Sequence, residues 1–365
     1  MLHLVNIARQ FVLPVSPLAV TPLGEGFIND TYLVSTTTDL RYILQRKNRN
    51  IFKNVPAMMS NIEKVTAHIR RKALAWGQDP QRSTLFLYQT PEGKSYYVDE
   101  AGEFWACFLY IDNTQCYSQA NAPSLARAGG VGIGQFQCQL ADFDQTLEDI
   151  LPGFHDIRFR YAQWDATLTE DRVGRCKGLA REIDWIAQRR QEMLTFKELV
   201  ENKTIPLRVS HNDTKISNIL FDSQGEVVCV IDLDTVLQST VLYDFGDAIR
   251  SYTNTAAEDE AQVEKVGMHP EFFQAYTQGY LSQTHSFLND QEIKWLAFAA
   301  KYITYEQVLR FLMDYIDGDR YYTIRYPEHN LVRARAQYAL LQSMEGAFAQ
   351  MQDTVSKNFI TLQSF

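Results

Sequence analysis

The sequence predicts an α+β protein of two lobes, a small β-rich lobe over residues 1–111 and a larger, mostly helical lobe over residues 112–365. Two observations carry this expectation. Short β-branched and aromatic runs, broken by turn signals, fill the first 110 residues. After Asp112 the apolar residues recur at helical spacing instead.

In the first lobe, strands are expected at Leu18–Gly24, Thr31–Ser35 and Arg41–Gln45, separated by Gly24-Glu-Gly26 and by Thr37-Thr-Asp39. A helix follows over about Val55–Trp76, with apolar residues at Met58, Met59, Ile62, Val65, Ile69 and Leu74. Further strands read at Thr84–Gln89, Ser95–Val98 and Phe104–Ile111, the first two parted by the turn Thr90–Gly93. In the second lobe, helices are expected at Ser124–Leu140, Glu182–Val200, Pro270–Leu281, Asp290–Tyr315 and Asn330–Met351. Leu207–Asp234 breaks that series. Its runs Asn218–Phe221 and Val227–Ile231 flank the turn Ser223–Gly225 and read as a hairpin.

The chain is 45% hydrophobic and 22% charged, the balance of an ordinary globular protein. Its net charge of −9 repels a phosphate backbone, so nucleic acid is not an expected partner. Five widely spaced cysteines with no C-x-x-C pair argue against a disulfide framework and a zinc site. No apolar run approaches the roughly 20 residues of a membrane span, and the N-terminal residues lack the pattern of a secretory leader. A cytoplasmic protein, monomeric or weakly dimeric and away from membranes, is expected.

The segment that carries chemistry is His211-Asn-Asp213-Thr-Lys215-Ile-Ser-Asn218, of the form H-x-D-x-K-x-x-N and followed by an apolar strand. Phosphoryl transfer needs a carboxylate to orient the attacking hydroxyl and a nearby oxygen to hold Mg2+. Asp213 and Asn218, five apart on one loop, suit those two tasks. Lys215 reaches the transferring group as a point charge, and His211 braces the loop through backbone hydrogen bonds. Asp232 ends the apolar run Val228–Ile231, where an aspartate that binds the nucleotide's metal is expected; Asp234 shares the metal or bonds the loop. The letters Asp244-Phe-Gly246 invite a second metal site, but Asp232 already holds that strand end. Asp244 is therefore read as an acceptor steadying the loop, with a helix beginning near Asp244–Asp247.

In the first lobe, Gly24-Glu-Gly26-Phe27 joins two predicted strands, and its glycines would let backbone amides approach phosphates. Gly24, Gly26 and Phe27 are candidate nucleotide contacts, the alternative being a plain hairpin turn. Glu63 is the helix glutamate expected to pair with a strand lysine, although Tyr42–Lys47 offers no unambiguous one. The cluster Gly129–Gly134 does not satisfy G-x-G-x-x-G and has no strand before it. Its helical spacing reads as small residues that let two helices approach closely.

His211–Asn218 with Ile231–Asp234 resembles the aminoglycoside phosphotransferase and choline kinase superfamily, which implies a protein-kinase-like two-lobed fold using ATP and Mg2+. The whole chain looks like the N-acetylhexosamine 1-kinases. That likeness is carried by Gly24–Asn29, Tyr42–Gln45, Ile205–Lys215, Ile231–Thr235 and Tyr326–Arg333. It implies transfer of the γ-phosphate to the 1-hydroxyl of GlcNAc or GalNAc, with Asp213 as base and Arg310 and Tyr321 touching the sugar. Without it, Arg310 would read as pairing with Asp314 at i+4, and Tyr321 as packing. The family has His where this chain has Phe27 and commonly Phe where it has Ser251, so both departures fall at the acceptor pocket.

Overall fold

The computed structural model describes residues 2–24 and 28–363. Its first elements are α1 (Leu2–Ala8), β1 (Pro17–Pro22), β2 (Asp30–Thr36), β3 (Tyr42–Lys47), α2 (Val55–Ala75), β4 (Leu87–Tyr88), β5 (Tyr97–Val98) and β6 (Phe104–Leu109). Helices α3 (Pro123–Gln139), α4 (Ile157–Glu170) and α5 (Ala180–Glu201) come next, then short strands β7 (Arg208–Ser210), β8 (Ile219–Phe221), β9 (Val227–Val230) and β10 (Leu237–Ser239). The chain ends in α6 (Val241–Tyr252), α7 (Pro270–Thr284), α8 (Asp290–Ile316), α9 (His329–Gly346) and α10 (Phe348–Gln363). These elements form two compact units, residues 1–115, 142–151 and 219–237, and residues 116–141, 152–218 and 238–365. The expected α+β architecture, a small antiparallel sheet and a larger helical region, is the one observed.

In the first unit the sheet runs β1-β2-β3-β6-β4, with β5 also on β6, and its paired strands are antiparallel. Alternation along β3 gives it two different faces. Tyr42 and Leu44 join Val20, Val34, Trp105 and Cys107 in a core closed by Val5, Ile7 and Ala8 of α1. Gln45 and Lys47 point to the opposite face. Helix α2 is started by Asn54, whose side chain accepts from the amide of Ala57, with Pro56 in the first turn. The β8–β9 hairpin closes as the amide of Asp222 bonds the carbonyl of Glu226.

The second unit is a helical bundle whose interhelix distances are set by small residues. A Cβ on Gly130 would fall 2.2 Å from the Tyr276 carbonyl, and one on Gly279 would fall 2.1 Å from that of Arg127. The Gly129–Gly134 cluster is thus a contact between α3 and α7, as its helical spacing suggested. Gly246 plays the same part between α6 and α8, where a Cβ would meet the Ala299 carbonyl at 2.3 Å. Helix α8 opens with a capping box, Asn289 and Glu292. Glu292 also takes both arms of Arg208 at 2.7 and 2.9 Å, which fixes the strand leading into the Asp213 loop.

Several expected boundaries need correction. Thr84–Gln89 and Ser95–Val98 shrink to the two-residue strands Leu87–Tyr88 and Tyr97–Val98, the residues in ladder register with β6. The helix expected through Met351 breaks at Ala347, and Phe348 starts another. Helix α6 begins three residues before Asp244, because the Thr240 side chain caps it. Helices α1 and α4 were not anticipated. Asp156 caps α4 by accepting from the amides of Arg158 and Phe159, but only Ile157, Tyr161 and Trp164 on that helix are buried, too sparse a stripe to stand out. Among the described residues, no helix is long and apolar enough to cross a membrane, and the five cysteines are free thiols.

Candidate active site

The centre of the site is the loop between β7 and the 3-10 turn Ile216–Asn218. Asn212 takes a left-handed conformation, φ 65°, which asparagine tolerates better than most residues. It turns the chain so that Asp213 faces outward while its neighbours stay buried. Lys215 Nζ donates to Asp213 Oδ2 at 2.6 Å, and Asn218 Nδ2 donates to the same oxygen at 3.0 Å and to the Asp213 carbonyl at 2.8 Å. The other carboxylate oxygen, Oδ1, accepts from no described residue. The Asp213 amide donates to His211 Nδ1 at 3.2 Å. Burial pushes the Asp213 carboxyl up, but the charge and hydrogen bond of Lys215, with His211 and Asn218, outweigh it and hold it below the usual aspartate value. Asp213 is therefore an anion with one lone-pair face open.

The loop rests on buried anchors. Asp244, in the first turn of α6, accepts from the His211 amide at 2.9 Å, the Asn212 amide at 2.6 Å and Gln137 at 2.9 Å. Its own carbonyl accepts from the Thr214 hydroxyl at 2.6 Å. Burial raises the Asp244 carboxyl, only partly offset by His211 and these donors. Ser251 Oγ accepts from the Ile216 amide at 3.2 Å, so the residue that stands where the resembled family commonly has Phe braces the turn after Asp213. From the other side, His155 Nε2 meets the Asn212 carbonyl at 3.1 Å, while its Nδ1 meets Glu306 at 2.7 Å. Burial pushes the Glu306 carboxyl up, but His155 and then Arg160 and Arg310 bring it down to about 2.

Arg310 lies one turn beyond Glu306 on α8. It does not pair with Asp314, which instead accepts from the amides of Arg320, Tyr321 and Tyr322 and from the Asn330 side chain. Arg310 makes one long bond to Gln307, 3.4 Å, and its guanidinium is ringed by Phe154, Tyr321 and Tyr322 at 5.6–5.9 Å. Tyr321 is 59% exposed and is not a core packing residue. The structure thus brings Arg310 and Tyr321 together, and links Arg310 through Glu306 and His155 to the backbone beside Asp213.

In the first unit, Gly24 sits in the β1–β2 connection at φ 70°, with open space where a Cβ would be. Gly26 and Phe27 lie outside the described residues. Asp232 follows β9 in a left-handed conformation, φ 61°. Lys47, the last residue of β3, is buried and donates to Asp234 at 2.6 Å and to Gln45 at 2.7 Å. The expected partner, Glu63, makes no ion pair among the described residues; the lysine of this strand is Lys47 and its acid is Asp234. Asn61, two residues before Glu63, is the α2 side chain that reaches this segment, donating to the Val236 carbonyl at 3.3 Å. The i, i+2 alternation from Gln45 could have pointed to Lys47. Nothing local marked His155, Glu306 or Gln137.

Asn218 and Asp232 offer hard oxygen donors. The Asn218 nitrogen is engaged by Asp213, which leaves its carbonyl oxygen for a cation. No cluster of three or more His, Cys, Asp or Glu able to hold a metal occurs among the described residues. Mg2+ usually takes only one or two carboxylates from a protein, with water and substrate phosphates completing its shell.

Residues 19–289 match the model of the phosphotransferase enzyme family. Among solved structures, the chain is similar to a microcompartment-associated aminopropanol kinase, at 15% identity over 96% of this chain and 98% of that one, TM-score 0.66. It is also similar to an amicoumacin kinase in complex with AMP-PNP and Ca2+, at 14% identity over 99% and 96%, TM-score 0.56. An ethanolamine kinase of Plasmodium vivax matches at 13% identity over 88% and 82%, TM-score 0.55. At these identities the likeness is one of fold, the kinase-like fold that the sequence led us to expect. With the matched span covering β1 through α7 and including the whole Asp213 loop, the chain belongs to the phosphotransferase enzyme family.

Proposed function

We propose that the protein is an ATP-dependent kinase of a neutral, oxygen-rich small molecule, an N-acetylhexosamine phosphorylated at its 1-hydroxyl. Transfer to a small-molecule hydroxyl is the activity expected of the family. The observation that carries the reading is Asp213, anionic, with Oδ1 open and its loop pinned by Asp244, Ser251 and His155. Such a carboxylate accepts a hydrogen bond from the acceptor hydroxyl, aligns it and takes its proton as the new P–O bond forms and the bond from the γ-phosphorus to the bridging oxygen breaks, releasing ADP. Lys215 stabilises charge on the transferring group. Mg2+, held by Asn218 and Asp232, would supply neutralisation of the phosphates. His211 is a brace. Gly24, Gly26, Phe27 and Glu63 remain the proposed nucleotide-side residues.

Arg310 supports the acceptor class. A guanidinium among aromatic rings, with no carboxylate in ion-pair contact among the described residues, attracts carbonyl and hydroxyl oxygens and repels an ammonium group. Rings such as Tyr321 suit a sugar face. The second reading, an amino alcohol or aminoglycoside acceptor, is supported for amino alcohols by the likeness in fold to an aminopropanol kinase and an ethanolamine kinase. A panel of GlcNAc, GalNAc, glucose, galactose, glucosamine, aminopropanol and ethanolamine with Mg-ATP separates the two, with phosphorus NMR of the product. The expected result is a sugar 1-phosphate; turnover confined to amines would replace the first reading with the second.

A further inference from the structure

Asp232 holds a backbone conformation that typically costs a non-glycine residue about 1–3 kcal/mol and persists only where its surroundings over-determine it. The four residues that follow supply that constraint. Leu233 is buried, Asp234 is gripped from two sides, and the Val236 carbonyl is held by Asn61 of α2. One oxygen of Asp234 takes Lys47 Nζ at 2.6 Å, and the other takes Asn29 Nδ2 at 2.7 Å. Asn29 also accepts from the Asn48 amide at 3.0 Å, and Asn48 bonds the Ile28 carbonyl at 3.1 Å. Asp234 therefore ties together the end of β3, the far end of the glycine-bearing β1–β2 connection and the turn that presents Asp232.

We propose that Lys47 and Asp234 are positioning residues for Asp232, and that Lys47 acts through Asp234 instead of gripping the nucleotide phosphates itself. The Lys47 side chain is 1% exposed, its ammonium lies between Gln45 and Asp234 under the Phe108 ring, and its charge is already neutralised. A lysine that binds phosphate, even when ion-paired, must leave an N–H approachable from the nucleotide, and this ammonium is buried. The helix glutamate that would swing such a lysine toward a nucleotide is absent from the network, since Glu63 makes no ion pair among the described residues. Two links replace it, Lys47–Asp234 and Asn61–Val236, and both converge on the four residues after Asp232. Strand and helix thereby control the metal ligand, and only through it the nucleotide.

This inference rests on the kinase reading, and the test separates the two. ADP binding to the full chain is measured by calorimetry with and without Mg2+, for the wild type, Lys47→Met and Asp234→Asn. Binding by the wild type tests the kinase reading; the difference between the two conditions tests the positioning role. Both variants are expected to keep metal-free ADP affinity within about twofold and to weaken Mg-ADP by about tenfold or more, the range in which outer-shell partners of metal ligands act. Equal loss of metal-free and Mg-ADP affinity in Lys47→Met would show a direct phosphate contact and overturn the proposal. So would an Asp234→Asn variant whose Mg-ADP affinity is unchanged. If Lys47→Met does not fold, the near-isosteric Asp234→Asn decides alone.

Discussion

Two lysine–aspartate pairs of equal length, 2.6 Å, stand in the two units of this molecule and do different work. Lys47 and Asp234 are sealed, their side chains 1% and 5% exposed, and both oxygens of Asp234 are engaged. Lys215 and Asp213 are 34% and 24% exposed, and Asp213 keeps one oxygen open. The same two residue types thus make a sealed pair in which both carboxylate oxygens are engaged, and a partly exposed pair in which one is left open. Contact distance does not tell them apart. Burial and the count of unfilled lone pairs do.

The largest expected effect is at the open pair. Asp213→Asn keeps the shape and loses the base, so kcat is expected to fall by about 10²–10⁴-fold with nucleotide affinity nearly intact. Steady-state kinetics alongside ADP calorimetry checks this; a variant keeping more than about a tenth of wild-type kcat removes Asp213 from the role.

At the sealed pair the expected loss is in stability. Asp234→Ala leaves a buried ammonium without its acid and is expected to cost about 3–5 kcal/mol. Lys215→Met, at the open pair, is expected to cost no more than about 1 kcal/mol. Denaturant unfolding of both variants compares them directly, and similar losses would erase the distinction drawn here.

Two pH experiments sharpen it. Folding lowers the Glu306 carboxyl to about 2, so its ionised form stabilises the fold above the ordinary glutamate range. That stabilisation, on the order of 3 kcal/mol, fades as pH falls from about 4 through about 2. Wild type should therefore lose stability over that interval, and Glu306→Gln should lose less, as read from melting temperatures across acid pH. At Asp213, burial pushes the carboxyl up and Lys215 pulls it down. Lys215→Met should thus move the acid limb of kcat/KM to higher pH; an unmoved limb would mean that Lys215 does not set the charge of Asp213.

The smallest expected effect is at Ser251. Ser251→Ala removes one acceptor from the Ile216 amide, about 0.5–1.5 kcal/mol, with a change in kcat of up to roughly tenfold and little change in melting temperature. A wild-type kcat would leave the Asp213 turn anchored by Asp244 and His155 alone.

By itself the sequence determined what short separations enforce. His211, Asp213, Lys215 and Asn218 lie within eight residues, so their hydrogen bonds span two to five positions and the chain has little freedom to place them otherwise. The Gly129–Gly134 spacing is legible for the same reason. The acceptor role of Asp244, 32 and 33 positions from its partners, was inferred by elimination, because Asp232 already occupied the strand end. Tertiary structure alone decided that Lys47 meets Asp234, 187 positions away, and not Glu63. It alone brought His155 to Glu306 across 151 positions, and left Arg310 without Asp314 by giving that carboxylate to three backbone amides. The physical reason is that a partner within one turn is fixed by connectivity. A distant one is selected by which buried charges the packed core brings together, since leaving any of them unmatched is the costlier arrangement.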